Sequence, residues 1–133
     1  MRYMLDTNIC VEIIRRRTPS VLQHLLRTPP RDVCISVITL GELEFGAAKS
    51  AAPERNRLAL LEFLAPLAVM PFSDQAAASY GFLRAGLEAR GTAIGALDTL
   101  IAAHAQSLGL TLVTNNEREF RRVPGLKVAN WVE

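Results

Sequence analysis

The chain has 133 residues, half of them apolar, and a formal net charge of +2. This length allows one sizeable hydrophobic core, and no apolar run approaches the ~20 residues that a membrane-spanning helix needs. Two cysteines are too few for a disulfide framework or a zinc site, so Cys10 and Cys34 are expected to be small core hydrophobes. Met1-Arg2 leads directly into a strand pattern without the features of a signal peptide. We therefore expect a single cytoplasmic domain over residues 1–133.

Short apolar runs bounded by turn or cap residues predict five strands. They are expected at residues 3–5, 33–36, 68–70, 111–114 and 127–130. The runs do not alternate cleanly, which is typical of strands covered on both faces. With helical patterns between them, these strands predict an α/β fold with three layers, α/β/α, around a mostly parallel central sheet.

The helical patterns differ in clarity. Residues 19–28 and 54–64 are expected to form two extra helices, as a paired insertion or a face that could support dimerisation. The clearest long helix is predicted at residues 74–90, where apolar side chains follow a helical repeat: Ala76, Tyr80, Leu83 and Leu87. The same repeat predicts a later helix that ends before Gly109, with the stripe Leu97, Ile101, Ala105 and Leu108.

Three acids stand where an apolar stretch gives way to a turn or a helix start: Asp6, Glu42 and Asp98. Turns that follow parallel strands share one edge of a sheet, and ligand sites form there. Two carboxylates at ~4 Å repel each other by about 4 kcal/mol at an effective dielectric of about 20, and a divalent cation removes this penalty. Oxygen ligands suit Mg²⁺ or Mn²⁺. The pattern predicts a metal-dependent site for phosphate chemistry.

Each acid also has a structural alternative. Asp6 could cap the first helix, although the Thr-Asn pair that follows could do so instead. Glu42 fits a capping box with Thr39. Asp98 could likewise be the N-cap of its helix. The residues alone leave these roles open.

The segments around the acids resemble PIN-domain ribonucleases, and within them the VapC toxins of bacterial toxin–antitoxin pairs. The resemblance runs from about residue 3 to Trp131 and rests on four motifs in order: MLDTN at residues 4–8, ISVITLGEL at 35–43, GALDTLIAAHA at 95–105 and LVTNN at 112–116. It implies that Asp6 and Asp98 bind the metal and that Glu42 completes the acidic cluster. Thr7 and Asn8 would then orient the Asp6 carboxylate.

The fourth motif departs from the pattern of many PIN domains, which carry an acid where this chain has Asn116. An asparagine lacks the charge, so a second metal ion would be held weakly. Glu119 lies within one helical turn and could compensate, or it could be a solvated surface acid; Glu117 is a poorer candidate. The catalytic candidates are therefore Asp6, Glu42, Asp98 and Glu119.

Other polar residues carry weaker predictions. His104 is expected to be a hydrogen-bonded buried histidine rather than a catalytic base, and Glu44 is expected to face solvent. Arg118, Arg121 and Arg122 follow the fourth motif, so substrate phosphates are expected to pass them. The alternative path for a phosphate chain runs over residues 15–17, three consecutive arginines.

The resemblance implies a Mg²⁺- or Mn²⁺-dependent endoribonuclease that cuts the single-stranded part of structured RNA, such as a tRNA or rRNA loop. It also implies a VapB-like antitoxin as partner, a homodimer, and operator DNA bound only through the antitoxin. The alternative is a catalytically impaired PIN domain that binds RNA or protein. An aspartate-nucleophile phosphatase is disfavoured, because it needs a second aspartate where Asn8 stands.

Overall fold

Five parallel strands form one sheet in the order β3-β2-β1-β4-β5 in the computed structural model, which describes residues 1–132. The strands are β1 (Tyr3–Leu5), β2 (Val33–Ser36), β3 (Ala68–Met70), β4 (Thr111–Val113) and β5 (Val128–Ala129). The four strand pairs are all parallel. The expected mostly parallel sheet is confirmed, although β5 is shorter than residues 127–130.

Seven helices connect the strands within the described residues. They are α1 (Thr7–Arg15), α2 (Pro19–Arg27), α3 (Val37–Ala48), α4 (Pro53–Leu64), α5 (Asp74–Ala89), α6 (Ala96–Ser107) and α7 (Glu117–Phe120). Prolines begin α2 and α4, where the missing N–H has no intrahelical partner to lose. Gly109 follows the end of α6 with a φ of +68°, as a C′ glycine does. No helix of residues 1–132 is long and apolar enough to cross a membrane.

Successive strand residues point into two separate cores, which gives the three layers. Met4 joins a core with side chains of α5 and α6, whereas Leu5 joins a core with side chains of α1, α2, α3 and α4. Leu112 and Val113 of β4 divide between the two cores in the same way. This alternation is the period of two that a strand imposes on its side chains, with both faces of the sheet covered.

Two helix predictions need correction. α2 packs mainly on α1 and α4 mainly on α3, so the two helices do not form a paired insertion, although both cover the same face of the sheet. The stripe predicted for α6 is wrong at its ends, because Leu97 is 46% exposed and Leu108 also faces solvent. The buried face of α6 instead includes Thr99 and His104. The α5 stripe is confirmed, with Ala76, Leu83 and Leu87 buried.

The strand order reverses beside β1, which lies between β2 and β4. The chain leaves β1 toward β2 on one side and returns through β4 on the other side. A crevice forms outside the carboxyl ends of strands at such a switch point. Asp6 follows β1 and Thr114 follows β4, so both residues lie at this crevice.

Candidate active site

Asp6 stands at the switch point and is the N-cap of α1. Its Oδ1 accepts a hydrogen bond from the Ile9 N–H at 2.8 Å, and the residue is only 3% exposed. Burial raises the pKa of Asp6 to about 6; the charge of Glu42 also raises it, whereas the Thr114 hydroxyl and the Ile9 N–H lower it. Of the caps that the sequence left open for α1, Asp6 itself is the one used, and it still lies among the site acids.

Glu42 lies in the second turn of α3, because the N-cap of this helix is Ser36 rather than Thr39. The predicted capping box is therefore absent. Glu42 Oε1 instead accepts a hydrogen bond from Thr7 Oγ1 at 2.6 Å. Thr7 thus orients Glu42 and not the Asp6 carboxylate, and Asn8 is exposed without a side-chain hydrogen bond among residues 1–132. The roles predicted for Thr7 and Asn8 at Asp6 are wrong in this respect.

Asp98 is the third residue of α6, whose N-cap is Gly95, so Asp98 does not cap the helix. Its carboxyl group turns toward the other acids. Burial is the largest cause that raises the pKa of Asp98 to about 6, followed by the charges of Glu119, Asp6 and Glu42. The four predicted site acids therefore act on one another through their charges, although they come from four different elements.

Glu119 reaches this cluster from α7, where two donors hold it. Its Oε1 accepts a hydrogen bond from the Gly95 N–H at 2.9 Å, and its Oε2 accepts one from Asn116 Nδ2 at 2.9 Å. The Gly95 N–H and the Asn116 amide lower the pKa of Glu119, with smaller contributions from Arg122 and Asp98. Asn116 thus holds in place the carboxylate of Glu119, which lies three residues further along the chain.

Three other predicted residues lie outside the cluster. Glu44 pairs with Arg57 of α4 at 3.0 Å, so it makes an ion pair at the surface. Glu117 accepts a hydrogen bond from Asn130 Nδ2 at 3.0 Å and pairs with Arg121. His104 is buried and bonded to Ser36, which confirms the prediction of a hydrogen-bonded buried histidine.

Thr114 lies in the site, although no role was predicted for it beyond its place in the fourth motif. It is fully buried, its hydroxyl acts on Asp6, and its Oγ1 accepts a hydrogen bond from the Asn116 N–H at 2.9 Å. Its position at the end of a central parallel strand was the available signal, because residues there line the crevice of such a sheet.

The donor chemistry of the cluster suits a hard divalent cation. Asp6 and Asp98 offer carboxylate oxygens, and each has a pKa raised to about 6, so a cation would favour the ionised form of both. Within residues 1–132, no three His, Cys, Asp or Glu side chains form a ready-made metal cage. Mg²⁺ does not need one, since it commonly binds one or two carboxylates and keeps several waters.

Basic side chains lie on two sides of the acids. Arg121 is paired with Glu117, and Arg122 Nη1 donates to the Ala93 carbonyl at 3.0 Å. A groove of about 290 Å³ runs between α1, α3 and α4, and its lining includes Glu42, Arg15 and Lys49. The groove therefore places two cations beside one of the site acids.

Comparisons with known proteins agree with this geometry. The family model described as PIN domain matches residues 3–126. The chain is 44% identical over 131 residues to the tRNA(fMet)-specific endonuclease VapC of Salmonella typhimurium, covering 98% of each protein. It is also 44% identical over 132 residues to Ribonuclease VapC2 of Haemophilus influenzae, covering 99% of each.

Solved structures give the same result. The fold matches a DNA-bound VapBC from Salmonella typhimurium with a TM-score of 0.94 and 44% identity, covering 98% of each chain. It matches VapBC2 from Rickettsia felis, bound to a DNA fragment from the promoter, with a TM-score of 0.93 and 43% identity, covering 98% of this chain and 99% of that one. The chain therefore belongs to the PIN domain family, among its VapC ribonucleases.

Proposed function

We propose that this protein is an endoribonuclease that depends on Mg²⁺ or Mn²⁺ and acts as the toxin of a toxin–antitoxin pair. The observation that carries the proposal is the mutual influence of Asp6, Glu42, Asp98 and Glu119 at the carboxyl edge of the sheet. Relatives that are named as ribonucleases support RNA cleavage. The need for a metal ion is inferred from the donor chemistry alone.

Asp6 and Asp98 are the residues that would hold the cation. The Ile9 N–H fixes one oxygen of Asp6, and the first turn of α6 fixes the backbone of Asp98. A divalent cation bound there would lower the pKa of a water molecule and draw electron density from the scissile phosphate. The protein contributes two fixed carboxylates, so little reorganisation is needed when substrate arrives.

Glu42 is the candidate for moving the proton. Thr7 Oγ1 donates a hydrogen bond to Glu42 Oε1, so Oε2 remains available to accept a proton from the attacking water. The water oxygen bonds to phosphorus as the bond from phosphorus to the 3′-oxygen breaks, and solvent protonates the leaving oxygen. The products carry a 5′-phosphate and a 3′-hydroxyl, and the substrate 2′-hydroxyl takes no part as a nucleophile.

The substrate class is proposed from the relatives. The name of the Salmonella typhimurium relative specifies initiator tRNA, so this RNA is the first to test. Cleavage is expected in a single-stranded part of a folded RNA, where bases are unstacked and the backbone is accessible.

The partner is also proposed from the relatives. Two of the matching structures contain VapBC bound to DNA, so a VapB-like antitoxin is expected to inhibit this protein. A C-terminal antitoxin segment that carries arginine would suit the acidic cluster, since guanidinium binds carboxylates through two hydrogen bonds. We expect a homodimer, with operator DNA bound only through the antitoxin. A short antitoxin-like reading frame directly upstream would support this pairing.

The alternative of an inactive binding module rested on Asn116, which stands where many PIN domains have an acid. Asn116 donates to Glu119 at 2.9 Å, so a carboxylate is present in that part of the site.

The test is RNA cleavage by variants that remove one carboxylate each. Asp6→Asn and Asp98→Asn should abolish cleavage and growth arrest, while urea unfolding shows a fold that is intact or more stable, because like-charge repulsion is relieved. Asp74→Asn is the control, since Asp74 is an exposed acid at the start of α5. Parental activity that survives either site change, or that survives removal of divalent ions by EDTA, would contradict the proposal.

A further inference from the structure

A buried serine–histidine pair lies outside the acidic cluster. Ser36 is 0% exposed and His104 is 1% exposed, and the Ser36 Oγ lies 2.7 Å from His104 Nδ1. Ser36 ends β2 and His104 lies on α6, 68 residues later in the chain. The hydrogen bond therefore joins two elements that are distant in sequence.

The same hydroxyl also begins α3. Ser36 Oγ accepts a hydrogen bond from the Ile38 N–H at 3.0 Å, so it is the N-cap of that helix. The imidazole of His104 is held from another side by Phe72, whose ring packs edge-on at a centroid distance of 5.2 Å. One serine oxygen thus ties the start of α3 to a fixed point on α6.

These two helices carry two of the site acids. Glu42 follows Ser36 by six residues on α3, and Asp98 precedes His104 by six residues on α6. We propose that Ser36 and His104 are positioning residues, whose hydrogen bond sets the placement of Glu42 relative to Asp98. This inference rests on the proposed function, because it assigns the pair to the cleavage reaction.

The two ring nitrogens of His104 differ in their surroundings, because Nδ1 meets Ser36 Oγ whereas Nε2 meets no partner within hydrogen-bond geometry among the described residues. The Ser36 hydroxyl has one hydrogen, and when it donates to Nδ1 the neutral imidazole carries its own hydrogen on Nε2. Nε2 is buried without a hydrogen-bond partner among the described residues, an arrangement that is unfavourable and that an apolar side chain would avoid. Burial lowers the pKa of His104, and the Pro71 carbonyl opposes this shift.

The experiment compares Ser36→Ala, His104→Leu and the double variant with the parent. The matched control is Ser73→Ala, because Ser73 caps α5 through the Ala76 N–H at 3.2 Å and touches no site acid. The measurements are kcat and KM for RNA cleavage, thermal unfolding, and the amide NMR signals of residues 40–44 and 96–100. His104→Gln replaces His104→Leu if the latter does not fold.

Ser36→Ala is expected to lower kcat at least about ten-fold with KM within about two-fold, since positioning affects the transition state more than binding. The double variant should be no slower than Ser36→Ala, because both single variants remove the same Ser36–His104 hydrogen bond and Ser36→Ala already removes the cap of α3 as well. Ser73→Ala should lose thermal stability and keep its kcat. If Ser36→Ala and the histidine variant only lose stability, as Ser73→Ala does, the pair is structural and the inference is overturned.

The NMR measurement separates this inference from the proposed function. A parent protein that cuts no RNA would remove the proposed function but leave the placement of the acids testable. Amide shifts at both residues 40–44 and residues 96–100 would then support the pair as the link between α3 and α6. Shifts confined to the neighbours of Ser36 and His104 would overturn it.

Discussion

At the scale of single residues, Asn116 and Glu119 together restore a charge that the fourth motif lacks. Asn116 Nδ2 and the Gly95 N–H each donate to a different oxygen of Glu119 at 2.9 Å. These donors lower the pKa of Glu119, whereas the charge of Glu119 helps to raise the pKa of Asp98. Glu119 is thus ionised more readily than the neighbouring Asp98. A cation bound between them would favour the ionised form of Asp98 as well, so that both carboxylates would carry a negative charge.

We therefore expect Glu119→Gln to weaken Mn²⁺ binding and to slow cleavage about ten-fold, which corresponds to about 1.4 kcal/mol in the barrier. Glu117→Gln is the matched control, since Glu117 is on the same helix but pairs with Arg121 and Asn130. Calorimetric Mn²⁺ titration and single-turnover cleavage check the prediction. If Glu119→Gln and Glu117→Gln cleave RNA at the same rate, Glu119 is a surface acid without a catalytic role. Asn116→Asp would then test whether an acid at position 116 increases the rate.

The sequence singled out Asp6, Glu42 and Asp98 because each follows a recognisable apolar run, yet their hydrogen-bond partners could not be predicted. The sequence offered Asp6 or the next two residues as the cap of α1 and Thr39 as that of α3, and the choice of Asp6 and Ser36 depends on where each strand stops. Thr7 contacts Glu42 across 35 residues of sequence, a pairing that no local pattern encodes. The Ser36–His104 pair was missed for the same reason, although His104 itself was expected to be buried and bonded.

At the scale of elements, the strands were easier to predict than the faces of the helices. Strand positions follow from short apolar runs, because a parallel strand buries both of its faces. The stripe predicted for α6 was wrong at Leu97 and Leu108, which are exposed. Small residues in the middle of the helix, such as Ala102 and Ala103, face the core. Close packing of α6 on α5 and on the sheet selects small side chains, which a pattern of large apolar residues overlooks.

The elements also offer two paths for the RNA backbone. The sequence favours α7, but Arg121 is paired with Glu117 and Arg122 is bonded to the Ala93 carbonyl. Arg15 ends α1 and Lys49 follows α3, and both line the groove that contains Glu42. We therefore expect these two cations, rather than those of α7, to contact substrate phosphates.

We expect Arg15→Ala with Lys49→Ala to weaken RNA binding more than Arg118→Ala with Arg121→Ala does. Each lost phosphate contact on single-stranded RNA should lower the salt slope of binding by about 0.7, so the groove pair should lower it by about 1.4. Filter binding at several salt concentrations checks this, in an Asp98→Asn background to prevent cleavage. An unchanged slope for the groove pair, together with a reduced slope for the α7 pair, would place the RNA on the other side of the acids.

At the scale of the whole molecule, the site lowers the stability of the protein when no cation is bound. Asp6 and Asp98 each have a pKa of about 6 in the folded protein, against 3.8 for an ordinary aspartate. The folded state therefore binds more protons than the unfolded state between about pH 4 and about pH 6, so ionising these acids reduces the free energy of unfolding. For the buried Asp6, the shift corresponds to a free energy on the order of 3 kcal/mol.

We accordingly expect the parent, measured against Asp6→Asn, to lose stability as the pH rises from about 4 to about 6 and to change little above that range. The difference between the two proteins reports Asp6 together with its charge coupling to Asp98, because acids with lowered pKa, such as Glu44 and Glu117, titrate alike in both. Mg²⁺ should restore stability to the parent above about pH 6, where the carboxylates are ionised, and should have little effect near pH 4. Urea unfolding across this range, with KCl matching the ionic strength of the Mg²⁺ samples, checks both parts.

A parent that gains stability relative to Asp6→Asn over the same range would contradict the prediction. It would show that the fold stabilises the ionised Asp6 carboxylate instead of destabilising it through burial and like charge. A Mg²⁺ effect of equal size in Asp6→Asn would remove Asp6 from the proposed ligands.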